Sequence, residues 1–365
     1  MKIIYPDYSN SIVNLASSIE KYFDLNSKVS SLKILDDILE KEKPKNVVVI
    51  LFDGMGACLI KEKLKESFLD KNMISILSST CPSTTTAATT SIMTGLYPCT
   101  HGYLGWDMYY KKENAFVTMF TNTYKDTKDV FEDYVISDKY FSNKTIMERI
   151  LENKKYYSKI VFPIKYPDAY SDIDDMFKQI KENLNVKEKN YVYAYYVDPD
   201  SIMHVNGTNS KETNDVFLMI NDKCEKFAET ISDTLLIITS DHGHKNTEYI
   251  YLEDYEDIFK LIKNNVWIEG RCCAFNVTDK KLFRKLFNKY FKDYFILKTK
   301  EEVKKERLFG LDNENKFFLD ELGDFLALAY SNKIIKYKRG GHVYKSNHAG
   351  FTEEEMQIPL IVIKK

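Results

Sequence analysis

Asn46-Val-Val-Val-Ile-Leu-Phe-Asp53 is an apolar run closed by an acid, and its reading decides the fold. Tyr191-Val-Tyr-Ala-Tyr-Tyr-Val-Asp198 repeats the arrangement, as does Thr234-Leu-Leu-Ile-Ile-Thr-Ser-Asp241. A fourth run, Ile358-Pro-Leu-Ile-Val-Ile363, closes the chain. Runs that are apolar on both faces predict buried strands of a mainly parallel sheet, since helices covering both faces leave no polar side. Helical patterns lie between the runs, so the expected class is α/β with three layers, α/β/α. Ligands of such sheets bind beyond the carboxyl ends of the strands. One terminal Asp is ordinarily a turn or helix cap. Three strands that each bring Asp to one edge, two of them with a nearby His, predict a site.

The rest of the chain is organised around these strands. Residues 1–45 read as a helical lead-in packed on the core: Ile12, Leu15, Ile19 and Phe23 recur at helical spacing, then Leu32, Leu35, Ile38 and Leu39. The core is expected to span 46–244 and 341–365, with 245–340 as an inserted α/β subdomain. Within the insert, Leu282, Leu286, Tyr290 and Tyr294 form a stripe beside Phe283, Phe287, Phe291 and Phe295, which predicts an amphipathic helix. Residues 280–307 hold 11 Lys or Arg against 4 Asp or Glu, read as a solvated face or as an attractor for an anionic substrate. The polar, Lys/Tyr-rich stretch 107–185 is expected to hold loops and helices covering the sheet edge.

Composition excludes several classes. At 365 residues the chain fits one large domain or a core with an insert. Its 13 Gly and 8 Pro are too few for a disordered chain, and a net charge of −2 gives no footprint for a nucleic-acid polymer. No apolar run approaches the roughly 20 residues of a membrane span. Met1-Lys-Ile-Ile-Tyr-Pro-Asp7 has no apolar signal core, so a cytoplasmic location is expected. Cys58, Cys81, Cys99, Cys224, Cys272 and Cys273 are sparse, no two sit at CxxC spacing, and they are expected to stay reduced thiols.

Four clusters carry chemistry. Phe52-Asp53-Gly-Met-Gly56 is a strand end with a glycine turn, and no P-loop pattern occurs. Cys81-Pro-Ser-Thr-Thr-Thr86 precedes an Ala/Thr run able to be helical. A hydroxyl at such a helix start sits where free N–H groups and the dipole favour an anion such as phosphate; the simpler reading is a capping Thr. In Asp198-Pro-Asp200-Ser-Ile-Met-His204, a helical turn or a folded loop can bring Asp200 and His204 to one metal. Ser240-Asp241-His242-Gly243-His244 offers oxygen and nitrogen ligands that suit Zn²⁺, and Ser346-Asn-His348-Ala-Gly350 adds another imidazole.

Together these clusters resemble the alkaline phosphatase superfamily, in its nucleotide pyrophosphatase/type I phosphodiesterase branch. The anchors stand in that branch's order: Asp53, Thr85, Thr94-Gly-Leu-Tyr-Pro98 with His101-Gly102, Pro199-Asp200-Ser201 with His204, Ser240-Asp-His-Gly243, and His348. The resemblance implies an alkaline-phosphatase-like core and two divalent metal ions, Zn²⁺ or alternatively Mn²⁺. It implies Asp200, His204 and His348 on one metal and Asp53, Asp241 and His242 on the other, with Thr85 bridging to it. Family spacing, nine residues back from Thr94, makes Thr85 the nucleophile, with Thr84 and Thr86 flanking. The family carries Asn 21 residues beyond the nucleophile, where this chain has Trp106. That indole either packs on the core or stacks on a base. Trp106 and Thr86 are the candidate substrate contacts.

The implied activity is two-metal hydrolysis of phosphorus esters through a phospho-threonine intermediate. The favoured substrate is a small phosphodiester or pyrophosphate such as a nucleotide. A phosphomonoester or a phosphonate is the alternative, and a silent binding scaffold is the rival from another class. Sulfatase is disfavoured because Cys81-Pro-Ser-Thr-Thr85 lacks that family's CxPxR spacing and Arg. His244 is read as exposed or as lying behind the ligands, His342 as a loop residue, and Arg271 as a salt bridge or a phosphate contact.

Overall fold

The computed structural model describes residues 2–141, 143–163, 169–311 and 314–365. Its first sheet has six strands, in the spatial order Met73–Ser78, Gln357–Lys364, Thr234–Thr239, Asn46–Phe52, Asn190–Tyr196 and Tyr157–Val161. The strand Asn46–Phe52 is central and runs parallel to both neighbours, with Phe52 opposite Tyr196 and Leu51 opposite Thr239. That register brings the three strands to one edge level. The closing run Ile358–Ile363 lies in this sheet but antiparallel to Thr234–Thr239, with a register shift between Leu360 and Ile361. An apolar run specifies burial on two faces but not strand direction, so the expected direction was open to this outcome.

Both faces of the central strand are covered. Val47, Val49 and Leu51 pack with Ile12, Leu15 and Ile19 from the amino-terminal helix Ile12–Tyr22 and with Phe23 that caps it. Val48, Ile50 and Phe52 pack with Leu59 and Ile60 and with Phe217, Ile220 and Cys224 of the helix Lys211–Ala228. All seven residues Asn46–Phe52 are buried, which gives the three layers their physical cause. Ile12, Leu15, Ile19 and Phe23 have no exposed surface. Truncating one, as in Leu15→Ala, removes about 2–5 kcal/mol.

A second, seven-stranded antiparallel sheet stands beside the first, in the order Phe295–Thr299, Phe325–Ala329, Cys272–Phe275, Trp267–Ile268, Asp107–Tyr110, Ala115–Thr118 and Thr123–Tyr124. Its last three strands come from the stretch expected to hold loops and helices, so the sheets do not divide at residue 245. The missed signal is period-2 alternation: Met108 and Tyr110 are buried while Asp107 and Tyr109 are half-buried. Helices follow at Ile136–Tyr140, Ile146–Glu152 and Ile173–Glu182. The expected amphipathic helix spans Lys280–Phe291 and buries Phe283, Phe287 and Phe291, whereas Leu282 is exposed. Tyr294 and Phe295 fall outside it, and Phe295 opens a strand. One apolar cluster runs from Val47 to Met108, Trp267 and Leu326, so both sheets share a core.

No disulfide links any of the six cysteines. Among the described residues no helix is long and apolar enough to cross a membrane.

Candidate metal centre and active site

Asp53, Asp200 and Asp241 meet where the parallel strands end; Asp198, the acid that closes the Tyr191 run, does not join them and accepts from Ser201 Oγ instead. Asp53 N–H donates to the Tyr196 carbonyl at 2.9 Å, and Asp200 N–H donates to the Asp53 carbonyl at 3.0 Å. Gly54 N–H donates to Asp241 Oδ1 at 3.1 Å. Gly54 has φ +73°, and a Cβ there would lie 2.9 Å from the His244 ring and 3.1 Å from Asp200 Cβ. The turn after Asp53 therefore needs glycine both for its backbone and for the side chains above it.

The first ligand cluster is Asp53, Asp241 and His242, whose ligand atoms lie within 4.8 Å of one another. His242 Nδ1 sits 3.1 Å from the Gly243 carbonyl, an acceptor, so it carries the proton. Nε2 then presents its lone pair 3.2 Å from Asp53 Oδ1 and 3.4 Å from Asp241 Oδ2. Asp241 Oδ2 is buried without a hydrogen-bond partner among the described residues. The Tyr195 hydroxyl donates to Asp53 Oδ2 from the face of its strand that also carries Tyr191 and Tyr193.

The helix Thr85–Thr94 points its first turn at this cluster, with Thr84 extended before it. Three hydroxyls compete here and their surroundings differ. Thr85 Oγ1 lies 3.3 and 3.4 Å from the Asp53 oxygens and 3.1 Å from His242 Nε2. Thr84 Oγ1 donates to Glu269 Oε1 at 2.7 Å, and Thr86 Oγ1 is buried without a hydrogen-bond partner among the described residues.

The second cluster is centred on Asp200 Oδ1. His204 Nε2 lies 3.4 Å from it, His348 Nε2 3.8 Å and His244 Nε2 2.5 Å. His204 Nδ1 donates to the Ser346 carbonyl at 2.8 Å, which leaves Nε2 bare. Ser346 Oγ donates to the Met203 carbonyl, so His244 Nδ1 is the donor to Ser346 Oγ at 3.0 Å and its Nε2 lone pair also faces Asp200. The rings of His242 and His348 stack at 3.9 Å between centroids, joining the two clusters.

Electrostatics explain what this edge needs. Burial, and then the Asp53 charge, push Asp241 up to about 8, while burial and Asp200 raise Asp53. Burial works to raise Asp200 too, but the charge on the facing His204 and His244 rings, in the form that carries a proton on Nε2 as well, outweighs it and holds the carboxyl low. Burial pulls His244 down to about 4 and lowers His348. Among the described residues none of the three acids pairs with Lys or Arg. Buried carboxylates and bare imidazole nitrogens converging without a fixed positive charge fit divalent cations, which the orphaned Asp241 Oδ2 would also serve.

The other expected residues separate. His244 is 1% exposed and touches Asp200, so the exposed reading is corrected: a second imidazole after an Asp-His pair reaches the neighbouring strand end. His342 is exposed, and its carbonyl receives Lys336 Nζ. Arg271 does not meet the cleft: it is fully buried, with Nε and Nη2 each 2.6 Å from the Glu355 carboxylate. Trp106 is 43% exposed with its edge to Phe120, so it does not pack into the core. Glu269 was not anticipated: Oε1 accepts from Thr84 Oγ1 and from Trp106 N–H at 3.0 Å, and burial pushes the carboxyl up to about 7.

The model of the type I phosphodiesterase/nucleotide pyrophosphatase family matches residues 47–351, which include every candidate ligand. The chain belongs to this family. It is a hydrolase of the alkaline phosphatase superfamily, acting on phosphoesters with metal dependence. Among solved structures it is similar in fold to mouse ectonucleotide pyrophosphatase/phosphodiesterase 5, at 18% identity and TM-score 0.67 over 87% of this chain and 88% of that one. The same mouse protein in an inactive form in complex with AMP matches at 18% identity and TM-score 0.66, over 86% and 87%. Phosphonoacetate hydrolase from Sinorhizobium meliloti 1021, in complex with phosphonoformate, matches at 14% identity and TM-score 0.64, over 88% and 90%. No match was found among curated proteins.

Proposed function

We propose that the chain is a two-metal phosphodiesterase/nucleotide pyrophosphatase that uses Thr85 as nucleophile and passes through a phospho-threonine intermediate. The observation that carries this reading is Thr85 Oγ1 lying within 3.4 Å of Asp53 and His242 at the first turn of its helix. Asp53, Asp241 and His242 would hold one ion together with Thr85, and Asp200, His204 and His348 the other. Their carboxylate and imidazole donors suit Zn²⁺, and Mn²⁺ is the alternative. Bound there, the ions would lower the pKa of the Thr85 hydroxyl and offset charge on the phosphoryl oxygens.

The chain's own groups supply the rest. Tyr195 holds the Asp53 carboxylate in orientation, and Gly54 N–H and His242 N–H fix Asp241 Oδ1. The free N–H groups of the first turn of Thr85–Thr94 would receive non-bridging oxygens as Thr85 attacks phosphorus in line with the leaving oxygen. The phosphoryl bond to Thr85 is then hydrolysed to release phosphate or a phosphomonoester. A small phosphodiester or pyrophosphate is the substrate class we infer, and a fold relative held in complex with AMP supports a nucleotide.

A paired assay tests this. Metal-loaded protein is given bis-(4-nitrophenyl) phosphate or 4-nitrophenyl phosphate, with and without chelator. Chelator-sensitive turnover with the diester ahead, lost in Thr85→Ala with bound metal retained, is the expected result. Activity that survives Thr85→Ala and disappears in Thr84→Ala or Thr86→Ala would move the nucleophile. A monoester well ahead would reassign the enzyme as a phosphatase.

A further inference from the structure

Glu269 is a carboxylate placed against the turn that, in the proposed reaction, would receive the phosphoryl group. It follows the strand Trp267–Ile268, and Ile268 has φ +74°, a conformation β-branched residues rarely adopt. Across from it, a Cβ on Gly105 would lie 2.6 Å from the Ile268 carbonyl, so the backbones of 105 and 268 are in close contact. The left-handed residue turns Glu269 out of the strand and onto Thr84 and Trp106 N–H. Glu269 N–H is held by the Cys272 carbonyl at 3.0 Å, and Arg271, two residues on, is clamped by Glu355. The side chain is thus fixed from both directions. Among the described residues no donor is bonded to Oε2.

A neutral amide would satisfy Thr84 Oγ1 and Trp106 N–H equally well through its oxygen. What the carboxylate adds is charge, in a place where the substrate is itself an anion. Asp107, half-buried and paired with Lys125 at 3.3 Å, lies in the same neighbourhood, as does His242. A phosphomonoester brings two negative charges at phosphorus above neutral pH, whereas a phosphodiester brings one. Repulsion from a poorly solvated carboxylate separates these classes without touching the metal ligands.

We propose that Glu269 is a specificity-determining residue that favours singly charged phosphodiesters over doubly charged phosphomonoesters. The inference rests on the reading of Thr85 as the attacking group, since that places phosphorus beside Thr84.

The test is Glu269→Gln, which keeps the acceptor and removes the charge. At pH 8 the ratio of kcat/KM for 4-nitrophenyl phosphate to that for bis-(4-nitrophenyl) phosphate is expected to rise at least tenfold. Inorganic phosphate, titrated calorimetrically into the metal-loaded protein, is expected to bind at least tenfold tighter than to wild type. Glu269→Asp, which keeps the charge, is expected to retain the wild-type ratio. An unchanged ratio and unchanged phosphate affinity in Glu269→Gln, or equal loss of discrimination in Asp and Gln, would overturn the proposal. If Glu269→Gln does not fold, wild-type calorimetry decides: dimethyl phosphate is expected to bind at least as tightly as inorganic phosphate, and a tenfold preference for inorganic phosphate overturns it. Thr85→Ala that still turns over either ester would sink the nucleophile reading instead, and the phosphate titrations would still report on Glu269.

Discussion

Replacing Arg271 by Met should damage the protein far from solvent and close to both ligand clusters. Arg271 and Glu355 are both without exposed surface, and the guanidinium forks onto the carboxylate with two contacts of 2.6 Å. Nη1 and Nη2 also donate to the Lys333 and Ser331 carbonyls. Glu355 takes two further donors, Gly350 N–H at 2.8 Å and Thr352 Oγ1 at 2.7 Å. Arg271→Met leaves that carboxylate buried and uncompensated, at a cost of about 3–5 kcal/mol. For 365 residues the unfolding entropy is roughly 0.8 kcal/mol per degree, so Tm falls by about 4–6 °C. Differential scanning calorimetry at pH 7 on the single variants and on Arg271→Met/Glu355→Leu reads this. Removing both charges spares the desolvation penalty, so the double variant is expected to be more stable than either single. The Glu355 carbonyl also receives Gly243 N–H, so the single variants should bind metal more weakly as well. Single variants that each cost under about 1 kcal/mol, and that add in the double, would refute the reasoning.

Three further outcomes are expected. Asp241→Asn should lose metal at the first cluster and lower kcat/KM by more than the roughly 10–100-fold typical of outer partners, read by metal analysis and kinetics; full metal content at wild-type rate would remove Asp241 from the site. Trp106→Ala should raise KM for base-containing diesters by more than for aryl diesters, since stacking on one base is worth about 1–3 kcal/mol; equal changes would exclude stacking. His101 is buried, accepts Tyr103 N–H on Nδ1 and is pulled down to about 3 by burial, whereas unfolded it titrates at its ordinary value of 6.5. Below that value the unfolded chain binds the extra proton, so stability should fall by about 1.4 kcal/mol per pH unit towards pH 3. Denaturant titrations of His101→Gln between pH 7 and 5 should lack this component, and an unchanged slope would refute it.

The cluster of candidate ligands at the strand ends was legible because its residues obey two local rules at once. A buried strand needs an unbroken apolar run, and a site at its end needs polar residues just beyond it; Asp53 follows Phe52 directly, and Asp241 and His242 stand two and three residues beyond Thr239. Asp200 and His204 are legible for a related reason, since the helix Asp200–Asn206 places them one turn apart. The strands at 107–124 were hidden because Tyr and Lys on a half-buried sheet blur the alternation that a composition-based reading relies on. His244 was open because its role depends on which strand end lies across from it. Glu269 had no local signal at all: a β-branched residue in the left-handed region is what sequence reasoning counts against.

The two sheets divide the labour of the site. Candidate metal ligands come from the first, through three parallel strand ends and the loop that carries His348. The groups that would meet the rest of the substrate come from the second, where pairing of Asp107 with Ile268 sets Trp106 and Glu269 side by side. The hydrogen bond from Thr84 to Glu269 ties that second set to the residue before the proposed nucleophile, and the Arg271–Glu355 pair anchors the same segment to the short helix Glu353–Met356 that follows His348. Substitutions on the strands 107–110 and 267–268 can therefore alter charge and shape around phosphorus while the ligand edge keeps its register. Substitutions at Asp53 or Asp241 have no such freedom, since the Asp53 carboxylate accepts from the Tyr195 hydroxyl and the Asp241 carboxylate from Gly54 N–H, each on the neighbouring strand or its end. The proposed specificity would thus lie on antiparallel strands that pair by local register, and the proposed chemistry on the parallel edge that both core faces hold fixed.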